Sequence, residues 1–127
     1  MMTHILLVED DLDDQMFFST SLQEVAPGTL LSLASTGEEA IAFLDGQSAP
    51  PDICVFDINV PGATGIDVLR KIKAEPRYNR TYVVMLTTSS DRTTREKCMS
   101  LGADAFFIKP STHAALTDIL RRIIFHS

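Results

Sequence analysis

At 127 residues, with 45% hydrophobic and 22% charged side chains, the chain is sized for one folded unit with a full core. A formal net charge of −6 offers no basic stripe to a nucleic acid, so that partner class is set aside. No apolar run approaches the ~20 residues of a membrane-spanning helix, and no basic-then-apolar leader opens the chain. A cytoplasmic protein with no membrane partner is expected.

Residues 4–8 read as a strand, the apolar run Ile5-Leu6-Leu7-Val8, which ends in Glu9-Asp10-Asp11. Residues 12–25 read as a helix, with Asp11, Asp13 and Asp14 at its start, where the helix dipole favours negative charge. Pro27-Gly28 breaks it, and 29–34 reads as a second strand. Thr36 and Glu39, three residues apart, predict a capping box for a helix that runs to about Leu44 and stops before Gly46. After Pro50-Pro51, the run Ile53-Cys54-Val55-Phe56 predicts a buried strand over 53–57, ending in Asp57. A loop with Pro61 and Gly62 leads to a helix over 65–74, ended by Pro76. Strand 82–87 ends in Thr87, a helix over 92–101 closes at Gly102, and strand 104–108 delivers Lys109. Ser111 is predicted to cap the last helix, where Leu116, Ile119, Leu120, Ile123 and Ile124 form one apolar stripe.

Five repeats of strand then helix imply an α/β fold, a doubly wound parallel sheet covered on both faces. Right-handed crossovers bring every strand's C-terminal end to one edge, where ligand sites of such sheets lie. The acids after strand one, Asp57, Thr87 and Lys109 are therefore expected to meet in one cleft. Consecutive like charges at a strand end are costly unless a cation binds there. Asp57 is the candidate nucleophile, since a carboxylate can attack a phosphoryl group. Mg²⁺ suits the set, because it favours oxygen ligands and offsets the charge of both reactants. Asp10 and Asp57 are the expected direct ligands, with Glu9 acting through water and the Asn59 backbone carbonyl completing the set. Lys109 is expected to pair with a carboxylate at rest and a phosphoryl oxygen after transfer, with the Thr87 hydroxyl donating to another.

These residues resemble the receiver domain of two-component response regulators, of the single-domain, chemotaxis-regulator kind. Ile5 to Asp11 resembles the family's first strand and acidic pair, with Glu9 and Asp10 in the acidic positions and Asp11 beyond them. Asp57, with Pro61 four residues on and Gly65 eight on, resembles the phosphoacceptor loop. Thr87 at one strand end and Lys109-Pro110 at another complete the set. The resemblance implies a flavodoxin-like fold, a five-stranded sheet in the order 2-1-3-4-5 with five helices. It is expected to fill residues 1–127 as one receiver domain with no separate output domain.

The same resemblance implies a Mg²⁺-dependent transfer of a phosphoryl group from a sensor histidine kinase or histidine phosphotransfer protein. It also implies slow self-catalysed dephosphorylation without independent substrate turnover, and a downstream protein partner; a homodimer is compatible with it. A switch is implied in which Thr87 is drawn inward, the aromatic Phe106 moves, and the face built from 92–101, 104–108 and 111–125 changes. Phe106 stands where the family often has Tyr, so it brings no hydroxyl. Thr88 is bulkier than the small residue common there and is expected to narrow access to the phosphoryl site. Asn59 and Ser89 flank that site, Val60 stands where Met is frequent, and Lys109-Pro110 is a candidate cis peptide.

Other readings compete with this one. A degenerate receiver could act as a constitutive protein-binding module, but every acid, Thr87 and Lys109 are in place. A flavodoxin-like carrier would need a hydroxyl- and glycine-rich loop where Glu9-Asp10-Asp11 would repel a phosphate. An aspartate-class phosphatase usually has a second acid where Asn59 stands. Cys54 and Cys98 read as buried free thiols. His4, His113 and His126 read as scattered surface residues, and the basic residues Arg70, Lys71, Lys73, Arg77 and Arg80 as a solvated helix face.

Overall fold

Strand and helix alternate five times along the chain in the structure, a computed structural model that describes residues 2–88 and 91–126. The strands are β1 (His4–Val8), β2 (Leu30–Ala34), β3 (Ile53–Phe56), β4 (Tyr82–Thr87) and β5 (Ala105–Ile108). The helices are α1 (Leu12–Val25), α2 (Gly37–Gly46), α3 (Gly65–Ala74), α4 (Arg92–Ser100) and α5 (His113–Ile124), with a 3₁₀ turn over Pro76–Tyr78. The strands form one parallel sheet in the order β2-β1-β3-β4-β5, the expected flavodoxin-like arrangement.

The period of two along each strand divides the core. Ile5 and Leu7 of β1, Ile53 and Val55 of β3, and Val84 and Leu86 of β4 face α1 and α5, meeting Phe18, Leu22, Leu116, Leu120 and Ile123. Leu6, Val8, Cys54, Phe56, Val83 and Met85 face the other way, toward Ala40, Leu44, Val68, Leu69, Ile72 and Cys98 of α2, α3 and α4. All four residues of β3 are buried, which is why this strand reads as an unbroken apolar run. Each large side chain so buried contributes roughly 1.5–3 kcal/mol. Burial pushes the Cys54 and Cys98 thiols above the usual range, which keeps both protonated.

Local signals and structure part company at several helix ends. Thr36 does cap α2, accepting from the Glu39 N–H at 3.0 Å. The Glu39 carboxylate, however, bonds the Ser35 N–H at 2.7 Å instead of closing a box on Thr36. The reciprocal box lies at α3, between Thr64 and Asp67. α2 runs through Gly46 because the Gln47 N–H still bonds the Leu44 carbonyl at 3.3 Å. The cap of α5 is Thr112, which accepts from the Ala115 N–H at 3.2 Å; Ser111 lies one residue too early to reach it. Lys109-Pro110 is trans, like every peptide bond among the described residues, in line with the intrinsic preference of about 0.5–1 kcal/mol. The basic residues near α3 are more engaged than a solvated face implies. Lys71 pairs with Asp45 and Glu75, both at 2.8 Å, and Arg77 donates to the Gln47 carbonyl. His126 stacks on Tyr82 with ring centroids 3.7 Å apart.

Candidate functional site

The parallel ladder runs one residue past three strands and so fixes the backbone of the cleft. The N–H of Glu9 bonds the Ala34 carbonyl (2.9 Å), that of Asp57 the Val8 carbonyl (2.9 Å), and that of Lys109 the Thr87 carbonyl (2.8 Å). The loop after Asp57 turns back at once: the Gly65 N–H bonds the Ile58 carbonyl at 3.1 Å. A Cβ at position 65 would overlap the Asp57 carbonyl oxygen, so this approach admits only glycine. Farther along, the Glu38 carboxylate of α2 accepts from the Ala63 N–H at 2.8 Å and ties the loop to that helix.

On this frame Glu9, Asp10 and Asp57 come together, with one carboxylate oxygen of each within 4.8 Å of the others. Glu9 is 3% exposed and Asp57 7%, while Asp10 is open to solvent. Lys109 reaches in from the end of β5. Its Nζ lies 2.8 Å from Asp57 Oδ2, pairs with Glu9, and lies 3.1 Å from Asp14 Oδ2. Asp57 Oδ1 accepts from the Asn59 N–H at 3.1 Å, and the second Glu9 oxygen accepts from the Asp11 N–H at 3.0 Å.

Burial pushes the Glu9 carboxyl up, by more than its bonds to Lys109 and the Asp11 N–H pull it down. Burial also pulls the Lys109 ammonium down, but its hydrogen bonds to Asp57, Glu9 and Asp14 outweigh that and hold it above the usual lysine range. The two directions have different causes: burial dominates at Glu9, while the three carboxylates around one ammonium together dominate at Lys109. A hard divalent cation fits this all-oxygen donor set, whose acids are preassembled and undercompensated.

The other expected residues are placed less directly. Thr87 is fully buried at the end of β4, and Thr88 beside it is exposed. Ser89 lies outside the described residues. Asp11 caps α1, accepting from the Asp14 N–H at 3.0 Å. Phe106 is not in the cleft; it is 8% exposed in the core facing α2–α4, with the Arg95 guanidinium 5.9 Å from its ring centroid. Three residues of the site's surroundings carry no mark of it in the sequence. Asp14 reads there only as a helix-dipole acid, and nothing local reveals its bond to a lysine 95 positions away. Gln15 donates to the Glu9 carbonyl (2.6 Å) and to Ser35 Oγ (3.2 Å), holding the turn between β1 and α1. Glu38, in the first turn of α2, reads only as part of a helix start.

The response regulator receiver domain model matches residues 5–121, and the chain belongs to this family. Among its relatives is the transcriptional regulatory protein CpxR of Klebsiella pneumoniae, 31% identical, covering 99% of this chain and 51% of CpxR. The chain spans about half the length of several curated relatives it matches. The Mn²⁺-bound form of the response regulator Rcp1 superposes with a TM-score of 0.85 at 29% identity, covering 95% of this chain and 91% of Rcp1. The receiver domain of the sensor histidine kinase PA1611 from Pseudomonas aeruginosa holds magnesium in its active-site cleft. It superposes with a TM-score of 0.79 at 28% identity, over 98% of this chain and 99% of that one.

Proposed function

We propose that Asp57 accepts a phosphoryl group from a phosphohistidine on a sensor kinase or phosphotransfer protein, in a Mg²⁺-dependent reaction. The observation that carries this reading is the seat of the Asp57 carboxylate, 2.8 Å from Lys109 and grouped with Glu9 and Asp10. An Asp57 oxygen forms a bond to phosphorus as the donor's P–N bond breaks. The electron pair leaves with the imidazole nitrogen, and Asp57 gives up no proton because it attacks as a carboxylate. Asp10, Asp57 and the Asn59 carbonyl, with Glu9 acting through water, would hold Mg²⁺, which would supply positive charge for the phosphoryl oxygens. Lys109 donates N–H bonds to the transferred group, and the Asp57 loop holds the attacking oxygen in place.

Phosphorylation replaces the single negative charge of the Asp57 carboxylate with the roughly 1.5–2 negative charges of a phosphoryl group and moves that charge outward into the cleft. Thr87 turns toward that charge, Phe106 repacks, and the face of α4, β5 and α5 presents a changed surface to a downstream protein. A coupling of about 1–3 kcal/mol is typical of such switches. Thr88 narrows water's access and lengthens the phosphorylated state. No helix among the described residues is long and apolar enough to cross a membrane, and we place the domain in the cytoplasm with its kinase. A constitutive binding module is the weaker reading, since it leaves the grouped acids and Lys109 without a purpose.

The test is incubation with Mg²⁺ and acetyl phosphate, followed by intact mass. The wild type gains one phosphoryl group, chelation of Mg²⁺ abolishes the gain, and Asp57→Asn shows none. An Asp57→Asn protein that labels as strongly as wild type would falsify the assignment.

A further inference from the structure

We propose that Asp14 competes with the phosphoryl group for Lys109, holding the ammonium at rest and releasing it when Asp57 is phosphorylated. The inference rests on the reading of Asp57 as phosphoacceptor. A lysine ammonium has three N–H donors. Among the described residues Lys109 pairs with three carboxylates, Glu9, Asp57 at 2.8 Å and Asp14 at 3.1 Å, so its donor capacity is filled. Attack through Oδ1, the oxygen facing the Asn59 N–H, leaves Oδ2 beside the ammonium; a phosphoryl oxygen is then a fourth acceptor for three donors, and one existing partner has to give way.

Exposure decides which partner leaves. The Glu9 side chain is 4% exposed and is also fixed by the Asp11 N–H, so water cannot take the ammonium's place beside it. Asp57 carries the incoming group and stays in the cleft. The Asp14 side chain is 45% exposed, so water replaces the ammonium at little cost. Its backbone stays put meanwhile, because the Asp14 N–H is held by Asp11 Oδ1 in the first turn of α1. Asp14 is thus a positioning residue that acts through Lys109: it sets how readily the ammonium is given up to a phosphoryl oxygen.

Asp13 supplies the control. It lies in the same first turn, is exposed, and makes no ion pair with Lys109. Asp13→Asn and Asp14→Asn each remove one negative charge from the start of α1. Both lose a similar helix-dipole contribution and gain a similar long-range attraction for anions. The difference between them isolates the bond to Lys109.

The experiment titrates beryllofluoride, a phosphoryl mimic, into the Mg²⁺-loaded protein and follows binding by backbone NMR. Asp14→Asn is expected to bind it about three- to fivefold more tightly than Asp13→Asn. In protein without the mimic, ¹⁵Nζ spectra read the ammonium itself. Lys109 protons exchange slowly in wild type and Asp13→Asn, and faster in Asp14→Asn. Equal affinities and equal exchange in the two variants, or weaker binding by Asp14→Asn, overturn the inference while leaving the phosphoacceptor reading intact. Absence of beryllofluoride binding by wild type removes that reading, and the inference with it.

Discussion

At the N-terminal edge of the sheet, polar side chains each serve a backbone group. The Asp52 carboxylate accepts from the His4 N–H (2.8 Å), and the Thr81 hydroxyl donates to the Pro51 carbonyl (2.9 Å). The Tyr78 hydroxyl donates to the Leu44 carbonyl (3.2 Å) and the Asp104 carboxylate accepts from the Val83 N–H (2.8 Å). At the C-terminal edge the backbone is satisfied largely by the ladder itself, and the side chains of Glu9, Asp14, Asp57 and Lys109 face one another. One edge closes its loops; the other gathers charge that the fold does not neutralise. Similar residue types serve at both, so what separates a structural acid from a site acid is the partner it faces.

Glycine substitutions break this contrast most strongly. Gly65→Ala drives a Cβ into the Asp57 carbonyl oxygen and sets it 3.0 Å from the Ile58 Cα, both backbone atoms that cannot swing aside. The expected loss is about 1–3 kcal/mol in chemical denaturation, with slower labelling by acetyl phosphate because the displaced atoms belong to Asp57. Gly46, the last residue of α2 at the opposite edge, has nothing within 4 Å of where an added methyl would stand, so Gly46→Ala is expected to be neutral or to stabilise by up to about 1 kcal/mol. Equal stability losses at both positions would dissolve the distinction between the edges.

Tyr78→Phe probes the N-terminal edge alone. Tyr78 is 1% exposed, and its hydroxyl bonds the Leu44 carbonyl, which keeps the Gln47 N–H as a second partner. The expected cost is therefore that of one hydrogen bond, about 1 kcal/mol in the urea midpoint analysis. Phosphorylation should proceed at the wild-type rate, since the hydroxyl serves loop closure at the end away from Asp57. A slowed rate would mean that the two edges are coupled through β3 and β4.

Much of this contrast was legible in the sequence. Unbroken apolar runs at 53–56 and 82–86 gave away the covered parallel sheet, and strand-then-helix repetition placed Glu9, Asp57 and Lys109 on one edge. Strand ends were readable because each charge follows directly on an apolar run. Contacts made between elements were not. Asp14 and Asp13 are identical in type and adjacent in sequence, and only the packing of α1 beside the end of β5 gives one of them to Lys109. Caps failed for a related reason. Ser111 and Thr112 are equally good candidates by composition, and the choice between them is made by where α5 starts against α1 and the sheet. Thr64 and Asp67 form the full capping box three residues apart, a pattern obscured in the sequence because Glu or Gln is the usual partner at the third position.

That box yields the smallest expected effect and sharpens the contrast within the charged edge itself. Asp67 opens α3, accepting from the Thr64 N–H at 2.9 Å and from the Thr64 hydroxyl at 3.2 Å. The backbone bond first, and the hydroxyl bond second, hold its carboxyl below the usual range. A carboxyl depressed in the folded state stabilises the fold above its unfolded pKa of about 4, and that stabilisation fades as pH falls through the lower folded value. Asp67→Asn keeps an acceptor oxygen for the Thr64 N–H and removes the titration. Wild type should therefore exceed the variant in stability near neutral pH, with the gap closing as the pH drops from about 4 toward 2. Urea midpoints of the two proteins across that range measure the gap. A difference that stays constant with pH would mean that the Thr64 bonds do not discriminate between the charged and neutral side chain, and that this acid belongs with the solvated ones.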